Sequence, residues 1–177
     1  DLFKKTYGLS DENCFGDYKE LFSRPRIADL AIICTNDRMH VEPARLAVEK
    51  GYHVLLEKPI SPIPEEVYEV GKLAEKSDKV FSICHVLRYT KFYTEVKKIL
   101  DSGMLGKIMT VVHTENVGFW HQCHSFIRGH WRNSNETSPM ILAKSCHDLD
   151  LLIYLIGGNC KKVSSFGDLT FFKKENA

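Results

Sequence analysis

Three short apolar runs separated by two amphipathic segments constrain the fold of this chain more than any other feature. ADLAIICT (28–35), YHVLLE (52–57) and KVFSICH (79–85) are nearly continuous in apolar character, the pattern of strands covered on both faces. Between the first two, Val41, Ala44 and Val48 recur at helical spacing, and the segment ends at Gly51, a residue suited to the position just past a helix. Between the second and third, Pro64, Glu65 and Glu66 open a helix, where proline loses no needed N–H and the acids complement the helix dipole. Its apolar stripe is Val67, Val70, Gly71 and Ala74. Strand, helix, strand, helix, strand implies a parallel sheet with right-handed crossovers, an α/β fold of the open, doubly wound kind.

The flanking segments read differently. CFGD (14–17) followed by YKELF predicts one shorter strand and helix of the same sheet, and DLFKKTYG reads as the end of a helix. After residue 90, Phe92, Val96, Ile99 and Leu100 make a helix stopped at Gly103. IMTVVHTENVG (108–118) alternates like a strand with one wet face, an aromatic and polar stretch covers 119–138, and a long helix runs from about Pro139 to Ile156. KKVSSFGDLTFF (161–172) predicts a strand pair or one long strand. Strands and helices no longer alternate evenly, so the domain boundary is placed near residue 90, with residues 1–89 and 90–177 as the two parts. The chain begins at Asp1 rather than Met, and is read as a fragment or a processed product.

Composition excludes several classes. The 177 residues carry 24 Lys and Arg against 23 Asp and Glu, a formal net charge of +1, which lacks the broad attraction a general nucleic-acid binder needs. No apolar run approaches the roughly 20 residues of a membrane span. The six cysteines show no CxxC spacing and several sit in apolar runs, so they are read as buried, reduced thiols of a cytoplasmic protein. His121, Cys123 and His124 lack a further ligand at motif spacing, and no metal is expected. Ser125 and Ser145 have no nucleophile-elbow context.

In an open parallel sheet, ligands bind beyond the carboxyl ends of the strands. That rule selects Thr35, Asn36 and His40 after the first strand, Glu57, Lys58 and Pro59 after the second, and His85, Arg88 and Tyr89 after the third. A strand-end lysine beside a carboxylate can polarise a substrate oxygen or relay a proton; a solvated loop ion pair is the plainer alternative. On the long helix, Lys144, His147, Asp148 and Asp150 interrupt an apolar segment, with Lys144, His147 and Asp148 sharing one side. Unpaired burial of such groups is costly, so they are paired, exposed or employed.

The T-N-D-x-x-H turn, the helix ending in E-K-G and the E-K-P step occur in order in ADLAIICTNDRMHVEPARLAVEKGYHVLLEKPIS. This segment resembles the nucleotide-binding domain of the glucose–fructose oxidoreductase, inositol dehydrogenase and MocA family. The likeness continues through LRYTKFYTEVKKILDSGMLGKI to HDLDLLIYLIGG. The resemblance implies a partial Rossmann-type sheet followed by part of an α+β domain with an open, mostly antiparallel sheet. It implies an oxidoreductase using NAD or NADP on a sugar, polyol or related hydroxyl, working in the cytoplasm as a homo-oligomer (dimer or tetramer). Lys58 would then contact both nicotinamide and the reacting hydroxyl, and Pro59 would follow a cis bond. Thr35, Asn36, His40 and Glu57 would lie along the cofactor. Arg88 would stand near the substrate, and His147 would exchange the hydroxyl proton with help from Lys144. Trp120, Phe126, Trp131 and Arg132 make the 119–132 stretch an aromatic, polar loop expected to face the substrate cleft, with Trp131 and Arg132 as substrate contacts; an ordinary loop core there, and a helix-face histidine capped by Asp148 or Asp150, are the plainer readings.

The chain departs from the family pattern where Ala143 stands in place of an aspartate one turn before His147, and where Lys91 replaces a proline. None of its 11 glycines forms G-x-G, so the 177-residue polypeptide is expected to hold a dinucleotide weakly or not at all. An NAD-dependent glycosidase of the same superfamily, and a non-catalytic nucleotide-sensing or assembly protein, are the alternatives to a dehydrogenase.

Overall fold

The computed structural model describes residues 2–176. Its centre is a three-stranded parallel sheet of β1 (Leu30–Ile33), β2 (His53–Leu56) and β3 (Phe81–Ile83), in that order. Leu30 lies opposite His53 and Ile33 opposite Leu56, while Val54 and Leu56 face Phe81 and Ile83. The helices in chain order are α1 (Leu2–Tyr7), α2 (Tyr18–Ser23), α3 (Val41–Glu49), α4 (Pro64–Lys76), α5 (Lys91–Asp101), α6 (Phe119–His121) and α7 (Met140–Ile156). The helices between the strands, α3 and α4, are the two crossovers that the alternating pattern predicts.

Side-chain size explains the packing of this layer. Ala44 and Ala47 of α3 are fully buried, and their small side chains let the helix axis approach the sheet closely. Val54 and Leu56 of β2, Val70 of α4, and Phe22 with Tyr52 complete the core cluster. Phe22 and Tyr52 meet edge to face at 5.8 Å, a favoured aromatic geometry, and the Tyr52 hydroxyl accepts the Ile27 N–H at 3.1 Å. After α3, Gly51 adopts φ +77°, a left-handed turn that a side chain would strain. That turn sends the chain straight back into β2.

Several elements differ from the sequence expectations. At 14–17 no strand forms; the Asp17 side chain instead accepts the Lys19 N–H at 2.8 Å as the N-cap of α2. The first apolar run is covered on one face only: Ile33 is buried, whereas Leu30 (48%) and Ile32 (61%), which share the opposite face, are exposed; β1 is also the end strand of the described sheet. Neither 108–118 nor 161–172 forms a strand, and among the described residues none follows β3. A strand exists only through its ladder partners, and these two segments do not pair with each other or with the sheet. The cysteines are free but not buried: Cys14, Cys34 and Cys160 are exposed and the other three intermediate. Among the described residues no helix is long and apolar enough to cross a membrane.

Candidate active site

A cavity of about 280 Å³ opens where the carboxyl ends of β1 and β2 meet α7 and the 119–132 stretch. Thr35, Asp37 and His40 line it from the turn after β1, and Glu57, Lys58 and Pro59 from the turn after β2. The opposite wall comes from His121, Ser125, Phe126 and Trp131, and the floor from Ala143 and Lys144 of α7. The volume is that of a small-molecule site, and the few convergent polar groups on an aromatic wall match how such sites are built.

The two strand-end turns are locked together by one side chain. His40 is 1% exposed, with Nδ1 2.7 Å from the Pro59 carbonyl and Nε2 3.0 Å from that of Thr35. Thr35 also donates its hydroxyl to the Met39 carbonyl at 2.9 Å. The Lys58–Pro59 bond is cis. From this braced turn Lys58 Nζ donates to the Ala143 carbonyl at 3.1 Å, while its own backbone N–H donates to Glu57 Oε2 at 3.2 Å.

The aromatic wall is fastened to the same turn. Trp131 Nε1 donates to Asp37 Oδ2 at 3.1 Å, and Arg38 donates from Nε to the Thr137 carbonyl at 3.1 Å and from Nη2 to that of Ser134 at 2.8 Å. Phe126 continues the wall beside Trp131, ring centroids 6.3 Å apart. The chain from Gln122 to Ile127 is wound as a π-helix, a widened turn often found at functional sites.

Behind the cavity lies a second cluster. Arg88 clasps Asp150 through Nε at 2.6 Å and through a second contact from Nη2. That carboxylate raises the guanidinium further above its ordinary range, and also stands 3.8 Å from His85 Nε2. His85 and His147 meet edge to face at 5.8 Å, and the buried Nδ1 of each has no hydrogen-bond partner among the described residues. Burial first, then the Lys58 ammonium and His85, push the His147 imidazole toward its neutral form. Burial likewise lowers His85. Neither aspartate caps His147, because Asp148 Oδ1 is taken by His113 Nε2 at 2.6 Å and Asp150 by Arg88.

Of the residues expected at the site, Thr35, His40, Glu57, Lys58, Pro59, Trp131 and Lys144 line one cavity. Asn36 and Arg132 are exposed and outside its lining, Arg88 lies in an adjoining recess with His85 and Asp150, and His147 faces His85. Phe126, expected with Trp120 in the aromatic stretch facing the cleft, lines the cavity, whereas Trp120 is exposed and does not. Sequence reasoning did not select Asp37, and weighed His121 and Ser125 only to set aside a metal and a nucleophile. Asp37 lies inside the T-N-D turn and was within reach of the strand-end rule. His121, Ser125 and Phe126 come from a loop whose approach to β1 depends on tertiary contacts.

Known proteins agree with this architecture. The family model described as the oxidoreductase family with an NAD-binding Rossmann fold matches residues 2–85, and the GFO/IDH/MocA C-terminal domain matches residues 93–177. The chain belongs to the GFO/IDH/MocA oxidoreductase family. Among curated relatives of this GFO/IDH/MocA chain, a 2,7-anhydro-N-acetylneuraminate hydratase of Mediterraneibacter gnavus is 28% identical over 151 residues, covering 85% of this chain and 39% of that protein. A scyllo-inositol 2-dehydrogenase (NADP(+)) of Bacillus subtilis is 24% identical, covering 83% of this chain and 40% of that one. The chain thus spans about two fifths of these relatives' length. The fold is shared with the crystal structure of myo-inositol 2-dehydrogenase from Lactobacillus plantarum (TM-score 0.70, 24% identity, 88% of this chain and 44% of that one). A levoglucosan dehydrogenase in complex with NADH and levoglucosan is equally similar (TM-score 0.70, 22% identity, 87% and 41%).

Proposed function

We propose that this chain carries the catalytic face of an oxidoreductase that moves a hydride between NAD or NADP and a hydroxyl or carbonyl of a sugar, polyol or related compound. The observation that carries this reading is the Lys58 ammonium, which lines the cavity at the mouth of β2 and reaches the α7 turn that leads to His147. The division near residue 90 follows, with the nucleotide-binding part before it and the substrate-covering part after it. A cytoplasmic protein with a small carbohydrate-like substrate and no nucleic-acid or membrane partner belongs to this reading; the formal net charge of +1 lacks the broad attraction a general nucleic-acid binder needs. Self-association as a dimer or tetramer belongs to the same reading.

The residues present fit the nicotinamide end of such a cofactor: an aromatic wall of Phe126 and Trp131 faces an ammonium and the polar strand ends in one cavity. Thr35, His40, Glu57, Lys58 and Pro59 would hold it, without Asn36, which lies outside the lining; when bound it supplies the hydride acceptor or donor. Lys58 Nζ has three protons and only one is engaged by Ala143, so a second can bond to the reacting oxygen and stabilise charge developing there. His147 lies outside the lining, facing His85, and is pushed toward its neutral form by burial and by Lys58; in this reading it would accept the hydroxyl proton from a substrate that reaches past Lys58. Lys144 adds positive charge on the same wall. Arg88 holds Asp150 still, and Trp131, unlike the exposed Arg132 outside the lining, would meet the remainder of the substrate.

A second reading is favoured by the hydratase relatives. There the same groups would serve a reaction in which hydride leaves and returns within one turnover, so that no reduced nicotinamide accumulates. Release of sugar from a glycoside and non-catalytic nucleotide sensing are further outcomes the same assay resolves. The 177 residues alone, without a G-x-G loop, are expected to be inactive, so the assay uses the chain with its upstream coding region restored. With NAD or NADP and a panel of polyols, aldoses and glycosides, growth of the reduced-nicotinamide absorbance that requires Lys58 supports the dehydrogenase. Product formation without that growth supports the second reading, and inertness toward every substrate defeats both.

A further inference from the structure

The charges lining the cavity are unequally satisfied. Asp37 accepts the Trp131 indole N–H at 3.1 Å, and Glu57 accepts the Lys58 backbone N–H at 3.2 Å. The two ammonium groups have less. Lys58 Nζ meets one neutral carbonyl. Lys144 makes no hydrogen bond or ion pair among the described residues; its nearest interaction is the Phe126 ring face, 5.8 Å from Nζ to the centroid.

The acids of α7 do not relieve this. Asp148 is committed to His113 and Asp150 to Arg88. Burial, and then the Lys58 charge, push the Lys144 ammonium toward its neutral form against the weaker opposing pull of Glu115, which makes no ion pair with it, the mark of a cation with too little counter-charge. A half-buried cation with a like charge for company is costly to maintain. Its position on the cavity wall rather than on a solvated face means that a ligand can supply the missing anion.

We propose that the cavity receives a sugar-sized molecule bearing a carboxylate, which binds the Lys144 ammonium while Lys58 adds its charge and keeps the reacting oxygen. The inference rests on reading this cavity as the carbohydrate site, and names the substrate class it takes. A carboxylate forms charge-assisted hydrogen bonds with an ammonium. A phosphate dianion suits the cavity less, because Asp37 and Glu57 share the lining and repel its second charge.

The test is calorimetric titration of the chain, without nicotinamide, with D-glucuronate, D-glucose and D-glucose 6-phosphate. The expected result is glucuronate binding about tenfold or more tightly than glucose. Lys144→Gln should remove that preference, while Lys144→Arg and the surface control Lys72→Gln keep it. Equal binding of acid and neutral sugar, no binding of either, or a preference that survives Lys144→Gln overturns the proposal. Tighter binding of the phosphate overturns the carboxylate assignment. Should Lys144→Gln not fold, loss of the preference in Lys144→Arg would be the overturning result. No hydride moves in this experiment, so an intact acid preference without any nicotinamide reduction would defeat the oxidoreductase reading and leave the carboxylate site standing.

Discussion

Lys58 and Ala143, 85 residues apart in sequence, are joined by a 3.1 Å hydrogen bond from the lysine ammonium to the helix carbonyl. The bond ties the mouth of β2 to the middle of α7, and so sets the strand-end lysine against the helix that carries Lys144 and His147. The alanine side chain takes no part; a backbone oxygen is the acceptor. The single contact brings together two parts of the chain that local sequence treats as unrelated.

Lys58→Ala should therefore separate chemistry from stability. If Lys58 bonds to the reacting oxygen as proposed, removing the ammonium from the protein with its upstream region restored should lower turnover by about a hundredfold or more. The melting temperature should move by only about 4 °C or less, since one hydrogen bond on a partly exposed side chain is lost. In the same variant the His147 resonances should titrate closer to the ordinary value of 6.5, because the Lys58 charge is one cause of the lowering. Equal proportional loss of activity and stability would refute the assignment.

The Arg88–Asp150 pair predicts the reverse balance. Asp150 keeps only 10% of its side-chain surface in water, whereas Arg88 keeps 34%. Asp150→Ala leaves a partly desolvated guanidinium without its acceptor and frees the turn after β3 from α7. Denaturant unfolding should show a loss of about 2 kcal/mol. Asp150→Asn, which retains one acceptor oxygen, should lose less.

Stability should also fall as the solution becomes acidic. His85 and His147 both have proton affinities lowered in the folded chain, chiefly by burial. The unfolded chain then binds protons more readily, so the contribution is complete above the ordinary value of 6.5 and is lost as pH falls through the lowered folded values. Thermal melts across this window should show a decline that His85→Gln with His147→Gln reduces. An unchanged slope in the double variant would count against the two rings as its source.

Gly129 is the glycine whose replacement should disturb the site most. A Cβ there would fall within contact distance of the His124 carbonyl oxygen, with the Ser125 carbonyl oxygen 2.9 Å away. Both are backbone atoms that cannot swing aside. Gly129→Ala should therefore displace the stretch that carries Phe126 and Trp131, weaken ligand binding, and leave the far-ultraviolet helix signal nearly intact. Trp131 fluorescence is the direct readout.

How far the sequence speaks depends on the range of the forces involved. The parallel strands, the crossovers α3 and α4, and the helix α7 were legible because periodicity, proline and glycine act within a few residues. The strand-end rule likewise reached Thr35, Glu57 and Lys58 without any knowledge of packing. The failures share one cause: a strand is completed by a partner, and nothing within 108–118 or 161–172 says whether one will lie beside it. Nor could local pattern reveal that β1 would be an edge.

The same division holds at the site. Sequence alone determined that a lysine and a carboxylate emerge together at the end of a buried strand, and that Lys144 and His147 occupy one side of a helix. Only the tertiary structure decided their partners: Asp150 went to Arg88, Asp148 to His113, Asp37 to Trp131, and Lys144 to no anion among the described residues. Ionic pairing and burial are set by distance in space, and the distances that matter here join residues 35 to 94 positions apart along the chain.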